Sequence, residues 1–492
     1  MSQKKYDVII IGSGFGGMLA SVNLQKQGID NFVLLERRAF MGGTWVQNSY
    51  PGAAVDVPSP LYSLSFEPYD WTEYYAGQSE LNNYCEFIIA KYGLRERTHV
   101  NSNVTLIEWL PTDNVWQINT ADGKTYLTQF IINATGPLSQ AVIPDFKNLE
   151  KYQGRAFHSN DWDHDYDYTD KRLAIIGSGA SAAQIIPEIA PKVKSLNVFQ
   201  RTAHWVLPRH DMVFKPWQRK LLRKPWFYKL VRSSIYWAFE FRIIGFKYFK
   251  GILDLLGTLP AKKLMKQQIP DEALREKLTP DFTIGCKRIL VSSTLYPAYS
   301  RENVTLHDKD NSILEFSEKG IITQDGIEHE LDCVVFATGF DATDGLISYP
   351  VIGRNGQKLS DVWQDYPRAY LGTSIPHFPN LFIMTGPNTG IGHTSALFLM
   401  ESQMNYILSC LKAVKRQKKQ LIEVKPEAET RYTHWIHKAM QSTVWNQGGC
   451  TSWYHSKGGK VIAMFPGFSF TFYRWTRRMK PEDHFISDGE GA

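Results

Sequence analysis

Two glycine loops carry the most legible chemistry in this chain. "YDVIII" is a short β-branched run, the pattern of a strand buried on both faces. "GSGFGG" follows it at once, and "MLASVNLQKQG" then runs on at helical spacing. In that order Gly12 permits a tight turn and Gly14 lets backbone approach a pyrophosphate. Gly17 lets the helix pack close to the strand, and the helix N-terminus attracts the anion. A second strand, "NFVLLE", ends at Glu36, whose carboxylate is placed to accept hydrogen bonds from ribose hydroxyls. "RLAIIGSGASAAQ" repeats the design at Gly177, Gly179 and Ala182, and the strand "SLNVFQ" leads on to Arg201 and Thr202. Glu36 stands as far beyond Gly12 as Arg201 stands beyond Gly177. A carboxylate there repels a 2′-phosphate, and a guanidinium binds one bidentately. The plainer alternatives are a glycine turn that holds no nucleotide and an arginine that caps a strand end.

Two such sites in one chain imply a flavin reduced by a pyridine nucleotide: FAD at the first loop, NADPH at the second. FAD is preferred over NAD at the first because it opens the chain and because "MGGTWVQNSYPGAAVD" sets a glycine pair, Gly42 and Gly43, just beyond the acid. Flavoprotein disulfide reductases place a redox cysteine here. This chain has Trp45 in that region and its first cysteine at Cys85, so a dithiol reductase is not expected.

The elements that must position these residues form an α/β fold of two Rossmann-like dinucleotide-binding domains. Strands ending in "NATG" (Asn133–Gly136) and "FATGF" (Phe336–Phe340) read as chain crossings, so the NADP domain is expected to be inserted in the FAD domain. The expected segments are 1–142 (FAD domain), 143–210 (NADP domain with linker), 211–283 (helical insertion or lid), 284–339 (NADP domain) and 340–492 (FAD domain).

Composition excludes several classes. The 492 residues are 43% hydrophobic and 21% charged, which is ordinary for a folded protein and not for a disordered one. Of the net charge of +6, the window from Met212 to Lys250 carries +9, with Glu240 its one acid, and the remainder sums to −3. That is not a uniformly basic nucleic-acid binder. The five cysteines have long spacings and no CxxC pair, so neither a disulfide framework nor a zinc site is expected, no other metal site is read from the sequence, and a reducing cytoplasm is. The apolar run Val8–Ile11 is too short for a signal peptide, and no span near membrane length is apolar throughout.

Between the loops the chain resembles the type I Baeyer–Villiger monooxygenases, class B flavoproteins related to the flavin-containing monooxygenases. The family fingerprint FxGxxxHxxxW, followed by Pro or Asp, is met by "YQGRAFHSNDWD" through Gly154, His158, Trp162 and Asp163, with Tyr152 replacing the first Phe. A second motif, [A/G]GxWxxxx[F/Y]P[G/M]xxxD, is met by Gly42, Gly43, Trp45, Tyr50, Pro51, Gly52 and Asp56. The resemblance runs from Tyr6 to about Arg478. It implies that Gly43, Thr44, Trp45, Asp56, Tyr62 and Val104 join the first loop in holding FAD. It implies also that Thr202, Lys287 and Trp453 join the second in holding NADP. "GCKRIL" places Arg288 as the active-site arginine and Lys287 as a second contact to the 2′-phosphate, with Asp56 the acid paired to Arg288.

What the resemblance implies as an activity is NADPH-dependent insertion of one oxygen atom of dioxygen beside a ketone carbonyl, giving an ester or lactone through a flavin peroxyanion. Arginine stays charged at any relevant pH, so Arg288 is the expected stabiliser of anionic oxygen. His158 and Trp162 are read as residues that set the linker and the domain positions. The alternative is a flavin-containing monooxygenase acting mainly on sulfides or amines. A third reading is a flavin NADPH oxidase or binding protein that has lost oxygenation. The insertion holds twelve aromatic residues between Met212 and Lys250. They are read first as pocket wall and core, suited to a small hydrophobic ketone, and second as a weak peripheral contact to anionic membrane through 212–250. No nucleic-acid partner is expected, and the chain is expected to be a monomer or homodimer.

Overall fold

The strand Lys5–Ile11 is buried because it lies between two parallel neighbours, Phe32–Leu35 and Thr125–Asn133, with Ile11 opposite both Leu35 and Asn133. These and all other positions below come from a computed structural model that describes residues 5–343 and 345–489. An antiparallel run of Val104–Leu110, Val115–Thr120 and Thr125–Asn133 extends the sheet on one side. Leu381–Ile383, which returns after the second unit, pairs in parallel with the end of Thr125–Asn133. The first sheet is therefore completed by chain from both sides of the second.

The second sheet is wholly parallel, in the order Val304–His307, Ser195–Phe199, Arg172–Ile176, Cys333–Phe336, Arg155–His158. The two units repeat each other down to single hydrogen bonds. Gly12 N–H donates to Leu35 O at 2.8 Å and Gly177 N–H to Phe199 O at 3.0 Å. Ala134 N–H donates to Ile11 O and Ala337 N–H to Ile176 O, both at 2.8 Å. The "NATG" and "FATG" crossings thereby press a carbonyl onto the first glycine of each loop. A Cβ at Gly12 would lie 2.6 Å from Ala134 O, and one at Gly177 2.2 Å from Ala337 O. Both glycines also have positive φ, +98° and +126°, so no other residue fits.

The insertion leaves and returns through a parallel bridge, Val206–Leu207 against Leu290–Val291. Its longest helix, Pro225–Glu240, starts with a proline preset for the first turn. The helix docks on the first domain rather than on the second. Tyr228 Oη meets Ser63 Oγ at 2.9 Å and accepts from Trp71 Nε1 at 3.2 Å, and Arg232 donates to the carbonyls of Pro60 and Ser63. Arg219 and Arg223 both pair with Asp70. This fastening covers one face of the helix only. Phe214, Tyr228 and Phe246 are buried, but Trp217, Trp226, Trp237, Phe241, Tyr248 and Phe249 are exposed. The expectation that the aromatics mainly build pocket and core is corrected on this point.

A second correction concerns sulfur. Cys286 and Cys450 form a disulfide across 164 residues of sequence, while Cys85, Cys333 and Cys410 are free and buried. The pairing arises only when the loop before Arg288 packs against the C-terminal segment, a proximity that cysteine spacing does not encode. The cysteine argument for a reducing compartment falls with it. Among the described residues no helix is long and apolar enough to cross a membrane.

Candidate active site

At the first loop the acid is already organised. Ser13 N–H and Ser13 Oγ donate to Glu36 Oε2 at 2.9 and 2.7 Å, and Arg38 N–H donates to Oε1 at 3.0 Å. A carboxylate has about four acceptor positions, so room remains for a ribose hydroxyl. Gly14 and Gly43 face one another so closely that a Cβ on Gly43 would lie 2.7 Å from Gly14 Cα. A Cβ on Gly17 would lie 2.0 Å from Gly12 O, which is the close helix–strand packing the glycine spacing requires. The helix Phe15–Lys26 has no side-chain cap and no acid in its first turn, so its N–H groups remain for an anion. Thr44 and Trp45 begin the short helix Thr44–Gln47 beyond the glycine pair. Trp45 Nε1 donates to Tyr62 Oη at 3.1 Å, and burial pushes the Tyr62 phenol up to about 12. Val104 differs from the rest, because its side chain packs in the core with Tyr6 and Trp109. Its backbone is what remains for a ligand.

At the second loop the helix Ala180–Ile189 is likewise uncapped, with Gly179 before it and Ala182 buried against the sheet. Ser178 Oγ donates to Thr202 O at 2.8 Å, tying the loop to the end of the next strand. Arg201 is exposed and Lys287 partly so, and neither forms an ion pair among the described residues. Burial first, and then the Arg201 charge, lower the Lys287 ammonium, with Asp281 opposing. Two neighbouring cations without a paired carboxylate are a site for an anion.

Between the loops, Arg288 Nε and Nη2 donate to the two carboxylate oxygens of Asp56 at 2.8 and 2.5 Å. The Asp56 charge raises the Arg288 pKa further above its ordinary value against the effect of burial, so the guanidinium is permanently charged. Its side chain is 44% accessible, against 23% for that of Asp56. A cavity of about 310 Å³ beside the pair is lined by Gly52, Asp56, Gln184, Arg209 and the strand Leu290–Val291.

The two motifs of the family act largely as fasteners between the domains. Tyr50 Oη donates to Gln184 Oε1 at 3.0 Å and Gln184 Nε2 donates to Ala54 O at 2.9 Å. Gly52, at φ +78°, lies so close to the same helix that a Cβ would be 2.5 Å from Gln184 O. In the fingerprint, the Tyr152 ring folds over Gly154 and its hydroxyl donates to Leu331 O at 3.1 Å. His158 is buried and its Nδ1 accepts from Asn160 N–H at 3.0 Å, with burial lowering its pKa. This is a capping role at a strand end. The segment it caps reaches the first domain, where Gln47 and Arg38 both contact Asp161 Oδ1, at 2.8 and 3.1 Å. Trp162 packs edge-on against Phe157 in the second core, and Asp163 pairs with Arg155.

Sequence reasoning missed several residues here. Tyr454 is buried, and burial pushes its phenol up to about 12 with the Arg288 charge opposing. It stacks edge-on with Trp453 at 4.5 Å, bringing that loop to the arginine. The Cys286–Cys450 bond joins the two loops directly, two residues before Arg288 and three before Trp453. That adjacency to two chosen residues was the available signal. Glu240 and His393 are fully buried, 3.4 Å apart, with Ser469 Oγ also donating to Glu240 at 2.6 Å. Their contact fixes the end of the insertion helix to the segment Thr385–Ser395, and nothing in their spacing announces it.

Two uncapped glycine loops of opposite charge preference, meeting at an arginine–carboxylate pair, define a flavoprotein monooxygenase fold driven by a pyridine nucleotide. The pyridine nucleotide-disulphide oxidoreductase family profile matches residues 9–235, which contain both loops and exclude the Cys286–Cys450 pair. The chain is 41% identical over 483 residues to a Baeyer–Villiger monooxygenase of Pseudomonas aeruginosa, covering 98% of this chain and 91% of that protein. The crystal structure of cyclohexanone monooxygenase from Rhodococcus sp. Phi1 bound to NADP+ superposes with a TM-score of 0.89 at 27% identity, covering 99% of this chain and all of that one. The OTEMO complex with FAD and NADP gives 0.88 at 25% identity, over 98% of this chain and 99% of that one. The chain belongs to the Baeyer–Villiger monooxygenase family.

Proposed function

We propose that the protein converts a small hydrophobic ketone, dioxygen, NADPH and a proton to an ester or lactone, water and NADP+, with FAD as its resident cofactor. The observation that carries this reading is the bidentate Arg288–Asp56 pair facing a cleft between the two dinucleotide units. The glycine cradle fits FAD: side chains are excluded between Gly14 and Gly43, and the helix N-terminus behind them is uncapped. Gly12, Gly14, Gly17, Glu36, Gly43, Thr44, Trp45, Asp56 and Tyr62 would hold it, with the Val104 backbone. FAD, when bound, accepts hydride from NADPH and activates dioxygen.

The chain supplies the rest. Glu36, oriented by Ser13, holds the ribose of the first nucleotide. Arg201, Thr202 and Lys287 hold the 2′-phosphate of the second, and Gly177, Gly179 and Ala182 its pyrophosphate. Arg288 stabilises negative charge that grows on oxygen as the ketone carbonyl is attacked, and Asp56 fixes the guanidinium in the plane it needs. A permanently charged arginine favours attack on a carbonyl over electrophilic transfer to sulfur or nitrogen. Tyr62, Tyr454 and Trp453 restrict water around it. Gly154, His158, Trp162 and Asp163 set the angle between domains, along the segment divisions expected from the sequence.

The test is turnover of the holoenzyme with NADPH and air against cyclic, aryl and aliphatic ketones and a thioether, with products read by mass spectrometry. An ester or lactone carrying one atom from labelled dioxygen is expected. Sulfoxide alone, or hydrogen peroxide with every substrate, would overturn the reading.

A further inference from the structure

The described residues include twenty-four large apolar side chains that stand exposed, and fourteen of them lie between Met212 and Leu259. They are ordered rather than scattered. On the helix Pro225–Glu240, Tyr228 and Ile235 face inward, while Trp226, Leu230 and Trp237 lie on the opposite side in one stripe that Phe241 continues. Further exposed apolar residues follow in the chain, ending with Leu255, Leu256 and Leu259 around a π-helical turn.

The charges of the same stretch are sorted by type. The arginines are used internally: Arg219 and Arg223 on Asp70, Arg232 on carbonyls of the first domain, and Arg242 over the Phe239 ring. Lys215, Lys220, Lys224 and Lys229 are exposed, and none forms an ion pair among the described residues. The one acid between 212 and 249, Glu240, is fully buried. The outer face therefore presents tryptophan, leucine and lysine, and its one exposed carboxylate between Met212 and Leu259 is Asp254, at the far end of the patch, which accepts from Thr258 Oγ1 at 3.0 Å.

We propose that this face of the insertion docks the enzyme onto an anionic phospholipid bilayer. Tryptophan and phenylalanine suit the boundary between headgroup and acyl chain, and lysines beside them suit negative headgroups. A second copy is the weaker fit, because a two-fold contact would set this lysine-rich face against itself. The surface is distinct from the Arg288 cleft, so docking and chemistry are separable.

The experiment is flotation of the holoenzyme with vesicles of equal parts phosphatidylglycerol and phosphatidylcholine, or of phosphatidylcholine alone, at physiological salt. The wild type should float with the anionic vesicles and much less with the neutral ones. Trp226→Ser with Trp237→Ser should cut binding about tenfold. Lys220→Gln, Lys224→Gln and Lys229→Gln should cost about fivefold each and remove the preference for anionic lipid. Turnover without vesicles should match wild type in every variant, and the lysine set, which disturbs no packed side chain, keeps the test decisive if the tryptophan pair misfolds. The proposal is overturned if anionic vesicles bind nothing, or if both variant sets bind as wild type. It is overturned also if sedimentation shows a wild-type dimer that the tryptophan variant converts to monomer.

Discussion

At the first glycine loop the discriminating side chain is already occupied: Glu36 receives Ser13 twice and Arg38 once. At the second, Arg201 and Lys287 form no ion pair among the described residues, and burial and then the Arg201 charge lower the Lys287 ammonium. The backbone beneath them is the same, with each first glycine under an alanine carbonyl and each helix uncapped. The scaffold was repeated and the specificity residue exchanged. One site is preorganised by the protein, and the other presents two cations for an anion to complete. Under the proposed function, the resident cofactor belongs to the former and the exchanging cosubstrate to the latter.

The largest effects should come from the shared backbone. Gly17→Ala sets a Cβ 2.0 Å from Gly12 O and should cost at least about 3 kcal/mol, leaving protein without flavin or without fold. Gly177→Ala should retain the flavin absorbance and lose reduction by NADPH. Equal loss of flavin in both would erase the distinction between the sites. Next comes charge. Arg201→Ala with Lys287→Ala removes contacts of about 1.5–3 kcal/mol each, so KM for NADPH should rise more than a hundredfold while that for NADH barely moves. Raising salt should weaken NADPH binding and leave flavin content unchanged.

A smaller effect concerns the strap between the loops. Reducing Cys286–Cys450, or replacing both with Ser, should raise KM for NADPH several-fold with less change in kcat, since the bond ties the Lys287–Arg288 loop to that of Trp453. An unchanged KM would make the bond purely structural. The smallest is a pH effect on stability. Burial, helped by Lys287, lowers the His204 imidazole from 6.5 to about 4. The unfolded chain then binds a proton that the folded chain refuses between those values. Stability should fall as pH drops from 6.5 toward 4, and His204→Gln should flatten part of that slope in thermal melts.

Local pattern made both loops, Glu36 and Arg201 readable, because glycine spacing and strand–helix order are short-range facts, whereas the Arg288–Asp56 pair, 232 residues apart, was read from the resemblance alone. The resemblance supplied roles that spacing cannot. What stayed hidden was long-range. The disulfide joins residues 164 apart, and Glu240 meets His393 only once the insertion helix has docked. The exposed tryptophans were misjudged because periodicity finds an apolar face without saying what covers it. Val104 shows the converse, a site residue whose side chain belongs to the core.

The central claim is that a fixed cation at position 288 directs oxygen to a ketone carbonyl. The direct measurement is ester formed per NADPH consumed by the holoenzyme and by its Arg288→Ala variant, with flavin content and NADPH affinity measured on both. The wild type should form ester, and the variant should keep its flavin while ester formation falls at least about a hundredfold. Ester formation by the variant at the wild-type rate would contradict the account.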